Sequence, residues 1–117
     1  MKTVNTIINY KGKDYLLVFN LNVMEAIQEE YKTLDAWGAL TDGKAGEVNI
    51  KALVFGLACM LNEGVEISNE NNNTSEPLLT HKQVGRMISE IGLENLTRDM
   101  NDLVVNSTKD DSEPKNA

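Results

Sequence analysis

Few side chains in this 117-residue sequence are of a type that makes or breaks bonds. His81 is the only histidine and Cys59 the only cysteine. A general base needs a nucleophile or an orienting carboxylate nearby, whereas His81 stands beside Lys82 in what reads as the first turn of a helix. Cys59 lies in the most apolar stretch, where a thiol behaves as a small hydrophobe, and no second cysteine exists to form an intramolecular disulfide. One His and one Cys exclude a structural zinc site made by a single chain. Two carboxylate pairs, Glu29 with Glu30 and Asp99 with Asp102, fall on polar helix faces, but acid and base work requires burial or a neighbour that separates two pKa values. Gly43-Lys44-Ala45-Gly46 is too short for a phosphate loop and lacks its Gly-Lys-Ser/Thr ending. Asn and Glu are dense between Ser68 and Pro77, yet the turn glycine and the terminal bidentate glutamate of a calcium loop are missing in register. The expectation is a non-enzyme without catalytic residues, cofactor or metal.

The elements that would carry these side chains centre on Lys51 to Leu61, KALVFGLACML. Ile50, Leu53, Val54, Leu57, Ala58 and Leu61 follow one helical face, and the other side is small or apolar too, as in a helix covered on several sides. Its apolar run is too short to cross a bilayer core of ~30 Å, so the chain is expected not to enter a membrane. This central helix should run from about Asn49 to Glu63, with Gly64 ending it in a left-handed conformation. Before it, Val4, Thr6, Ile8 and Tyr10 alternate with more polar neighbours, and Tyr15 to Phe19 is apolar on both faces. These read as a hairpin with Gly12 at the first central position of a two-residue turn. A lone hairpin is marginal in water, so it must pack on helices or pair with a further strand, from this chain or from a second copy in a homo-oligomer.

Asn22 as N-cap with Glu25 opens a helix striped by Val23, Ile27, Tyr31 and Leu34. Thr33 caps a short helix ending near Leu40, with Trp37 and Leu40 turned to the core, and Thr41 to Glu47 reads as a loop. Ser68 to Pro77, without an apolar residue, reads as a mobile surface loop. Thr80 and Gln83 form a capping box ahead of Val84, Met87, Ile88 and Ile91; Gly92 ends that helix, and Leu93, Leu96, Met100, Leu103 and Val104 mark the last one. The fold class is α+β: an N-terminal β-hairpin over 3–19, then a helical part over 22–105 with four to five helices around the central one, all in a single domain over 1–105, with 106–117 a disordered polar tail.

The formal charge is −7 and unevenly spread. Residues 1–19 carry +2, from Lys2, Lys11 and Lys13 against Asp14, while 20–105 carry −8 and the remainder −1. Phosphate neutralisation needs clustered cations, so nucleic acid is not an expected partner. Segment 80–104 does read as two helices about a tight glycine turn, and a small DNA-associated regulator of helix-turn-helix type is the alternative function. Its second helix would present Glu94, Asp99 and Asp102 with only Arg98, which is the wrong charge for a phosphate-lined groove. Without a basic segment leading into an apolar run near the N-terminus there is no sign of a signal peptide, and a cytoplasmic location is expected.

Tyr15 to Tyr31, Asn49 to Gly56, Met60 to Gly64 and Leu79 to Arg86 resemble the tail assembly chaperones of long-tailed bacteriophages and prophages of Gram-positive hosts. The resemblance covers residues 3 to 105 and extends to the order of elements: strand pair, capped helix, central apolar helix, polar loop, helix pair. It implies a small non-catalytic protein of the bacterial cytoplasm that binds the long tape measure protein and keeps it soluble until tail tube subunits polymerise around it. Other tail proteins are further candidate partners. No family binding positions transfer to this chain. Met24, Met87 and Met100 are the candidate partner contacts, since flexible thioethers adapt to irregular surfaces, although methionines at core spacing commonly fill gaps instead. Some family members also make a longer form by frameshifting near the end of the reading frame, and Pro114-Lys115-Asn116 is compatible with a slippery codon run.

Overall fold

The structure, a computed structural model, describes residues 3–44 and 46–109. Its elements follow the order β1 (Val4–Tyr10), β2 (Lys13–Phe19), α1 (Leu21–Tyr31), α2 (Leu34–Thr41), α3 (Ile50–Asn72), α4 (His81–Ile91) and α5 (Leu93–Lys109). The α+β class expected from the sequence is the one observed: an antiparallel hairpin followed by five helices. Among the described residues, no helix is long and apolar enough to cross a membrane.

β1 and β2 pair from Tyr10 with Lys13 to Val4 with Phe19, so the turn consists of Lys11 and Gly12. Both have positive φ, +54° and +77°, which is the mirror-image turn whose twist suits a two-residue hairpin. Gly12 is therefore the second central residue and not the first. In a hairpin closed this way, alternate residues aim their backbone groups away from the partner strand. On β2 one of these is Leu16, and its carbonyl oxygen faces Gly64 of α3 so closely that a Cβ at position 64 would overlap it. Gly64 thus lets α3 seal the outer edge of β2. It does not end the helix, which continues through it to Asn72 and is capped by Asn73 in the left-handed region.

A second glycine notch in α3 has a different occupant. Trp37 is 1% exposed, its indole N–H donates to the Ala52 carbonyl at 2.9 Å, and its ring fills the space a Cβ on Gly56 would need. Thr41 is fully buried beneath it, its hydroxyl donating to the Trp37 carbonyl at 3.1 Å, so α2 extends one residue past Leu40. Leu40 itself stays 37% exposed, contrary to the expected inward turn. The cap of α1 is Asn20 in place of Asn22: its Oδ1 accepts from the Val23 amide at 3.2 Å because the chain bends into the helix directly after Phe19. Asn20 and Asn22 both donate side-chain N–H groups to one oxygen of Glu63, at 2.8 and 3.0 Å, and so tie α1 to α3.

The segment that reads as a mobile loop is instead ordered in two ways. Residues 68–72 are the last turn of α3, and the chain beyond them is held to that helix by two asparagines. Asn62 donates to the Leu79 carbonyl at 3.0 Å and accepts from the Leu79 amide at 2.7 Å. Asn69 makes the same pair with Glu76, both bonds at 3.0 Å. Seven helical residues rise about 10.5 Å, and three extended residues span about 10 Å, so the two clamps are commensurate with an extended strand laid along the helix.

The Thr80–Gln83 capping box forms as expected, with bonds of 2.8 and 3.1 Å. Gly92, at φ +116°, joins α4 directly to α5. In α5 the buried residues Leu96, Met100, Leu103 and Ser107 continue the stripe beyond residue 105, so the first residues of the expected tail, 106–109, are helical. The rest of that tail, including Pro114-Lys115-Asn116, lies outside the described residues. One core cluster takes in Ile8, Leu17, Val23, Trp37, Leu57, Met87 and Met100, and so reaches from the hairpin to every helix.

Candidate functional site

An open groove of about 930 Å³ runs between the hairpin turn, the first turn of α3 and the outer side of α4. Its position follows from local sequence. The turn carries Tyr10 and Lys11 to one side, the Asn49 cap starts α3 so that Ile50, Leu53 and Val54 face inward, and the Thr80 cap sets the register of α4. Leu53, Val54 and Ile88 form the floor and are closed off by the core, while Ile50 and Leu93 on the rim are 54% and 42% exposed. His81, Lys82 and Arg86 from α4 and Lys11 from the turn surround this apolar strip. Glu90 also lines it, with Lys11 Nζ 3.9 Å from its Oε1; both side chains are well exposed, so this pair is worth little. Gly85 leaves a low point in the wall, with nothing within 4 Å of where its Cβ would stand.

The candidate contacts from sequence lie elsewhere. Met87 and Met100 are 2% and 0% exposed and fill the core, so neither presents a thioether to a partner; their spacing serves packing. Met24 is half-buried against the same core. His81 is at the groove, exposed, as the first residue of α4. Cys59 is partly buried on α3, and burial pushes its thiol up to about 11, which leaves it protonated at neutral pH. The Tyr31 hydroxyl is also raised, first by burial and then by the Glu30 charge, where its ring meets Phe55 edge-on at 5.6 Å. Among the described residues, no three His, Cys, Asp or Glu side chains gather as metal ligands would.

Periodicity does not reveal the groove, because Ile50 and Leu93 sit on the apolar stripes of their helices and read as core. One signal for it exists in the sequence. Gly85 stands in the interior of α4, and a glycine there costs helix stability without a turn to justify it. No family model, curated protein or solved structure matches this chain.

Proposed function

We propose that this protein is a non-catalytic assembly chaperone of phage tail morphogenesis that binds the tape measure protein and keeps it from self-associating. The observation that best supports this reading is the groove beside α4, where an apolar strip lies open to solvent on an otherwise acidic molecule. A tape measure chain is long, helical and partly apolar, and a helix laid with its apolar face in such a groove is a recurrent mode of recognition. The observed order of elements is also the order that the sequence resemblance implies. In this reading the Gly92-linked helices α4 and α5 are an ordinary helical pair, and the acidic side chains of α5 keep it off DNA.

Co-expression with a phage tape measure protein tests the proposal. Tagged chaperone should retain the tape measure protein and raise its soluble fraction, and should not be retained on DNA at low salt. Failure to retain any tail protein, or retention on DNA, overturns it.

A further inference from the structure

Three features of the groove work against the stability of the free protein, and one kind of occupant accounts for all of them. α4 opens with His81 and Lys82 and has no acidic residue in its first turn, although the positive end of a helix dipole favours Asp or Glu there. Gly85 occupies a helix interior with open space above it, where alanine would fit and serve better. Ile50 and Leu93 leave apolar surface in water along the same strip. In a chain of formal charge −7, this rim gathers Lys11, Lys82 and Arg86 against the single acid Glu90.

We propose that the groove binds an acidic amphipathic helix of the partner protein. Its apolar stripe would lie on Ile50 and Leu93, its backbone would cross α4 at Gly85, and its carboxylates would reach Lys11, Lys82 and Arg86. Small residues let two helix backbones approach closely, and opposite charge fixes which helices are admitted. The eleven residues of α4 span about 16 Å, room for about three turns of the occupant. A nucleic acid would bring its phosphates to the same cations but leave the exposed Ile50 and Leu93 without a matching surface, which favours the peptide. That the occupant is a helix rests on the chaperone reading; the sign of its charge rests on the rim alone.

Two synthetic helical peptides of about 18 residues, each with leucine on one face and either glutamate or lysine on the other, test this with the full chain. By NMR the acidic peptide should shift the amides of 81–93, Lys11 and 50–54, should bind more weakly as salt rises, and should outcompete the basic peptide. Reversing two rim charges, K82E with R86E, should weaken the acidic peptide by roughly tenfold and admit the basic one. Gly85→Leu should block both peptides, and Tm should not fall in K82E or Gly85→Leu, which separates loss of the site from loss of the fold. Equal binding of the two peptides, shifts confined to another face, displacement by an oligothymidylate, or concentration-dependent self-association abolished by K82E with R86E would each overturn the proposal. If K82E with R86E still retains the tape measure protein while the acidic peptide fails to bind, the groove is not the contact and the chaperone reading stands. If the peptide binds and no tape measure protein is retained, the chaperone reading falls and the groove remains.

Discussion

At the scale of single residues, burial decides which protonation state a side chain holds. Cys59 illustrates this: a thiol with an ordinary pKa of 9.0 is held at about 11 by burial, so the uncharged form is the one the fold accepts. At pH 8 its alkylation by iodoacetamide should be about a hundredfold slower in the native protein than in urea, following the difference in thiolate fraction. The sign for stability is fixed by the same shift. Because the folded pKa lies above the unfolded one, the contribution of this group is complete below pH 9.0 and is lost as pH rises towards about 11. Urea titrations of the native chain and of Cys59→Ala across that window should differ in slope, with the variant losing less stability. The glycines carry a different lesson. Gly64 and Gly56 are required by what touches them, Leu16 and Trp37, whereas Gly85, like Gly38 in α2, has nothing within 4 Å of where its Cβ would stand.

At the scale of elements, the connection between α3 and α4 is the least expected part of the molecule. A run of Asn, Thr, Ser and Glu has no apolar residue with which to fold back, so hydrophobic pattern alone assigns it to solvent. Asn62 and Asn69 change this by giving two backbone residues, Leu79 and Glu76, the hydrogen bonds a neighbouring strand would give. The clamp fixes where α4 begins, and hence the wall of the groove. Asn62→Asp keeps the acceptor for the Leu79 amide and loses the donor to its carbonyl, while Asn62→Ala loses both. Hydrogen exchange at the Leu79 amide should accelerate in Asn62→Ala, and stability should drop by about 1 kcal/mol for the part-buried bonds lost. Asn69→Ala, at an exposed site, should speed exchange at Glu76 and leave global stability nearly unchanged.

At the scale of the whole molecule, one continuous core joins the hairpin to all five helices, with α3 as its axis. The two strands survive as a pair because α3 seals the edge of β2 at Gly64 and α5 packs against both. A single core of this kind has no part that can melt alone. Urea unfolding followed by helical circular dichroism and by the fluorescence of Trp37, the only tryptophan, should therefore give coincident transitions. Separate midpoints would show that the packing of α2 around Trp37 and the bulk of the helices melt as independent units.

Local pattern along the chain is enough to establish the order of strands and helices, the Thr33, Thr80 and Gly92 boundaries, the central place of α3 and the burial of Leu17 to Phe19, but not how far α3 and α5 run. Those features follow from periodicity and caps, which act over a few residues. Net charge and the scarcity of reactive groups are equally plain from composition. Packing in three dimensions was needed to show that Gly64 is a contact and not a stop, that Asn20 caps α1, that Asn62 and Asn69 hold the linker, and that Ile50 and Leu93 face a groove while Met87 and Met100 do not. Each of these depends on which surface meets which across dozens of residues, and an apolar side chain carries no mark along the chain to say whether its neighbour in space will be another side chain or water.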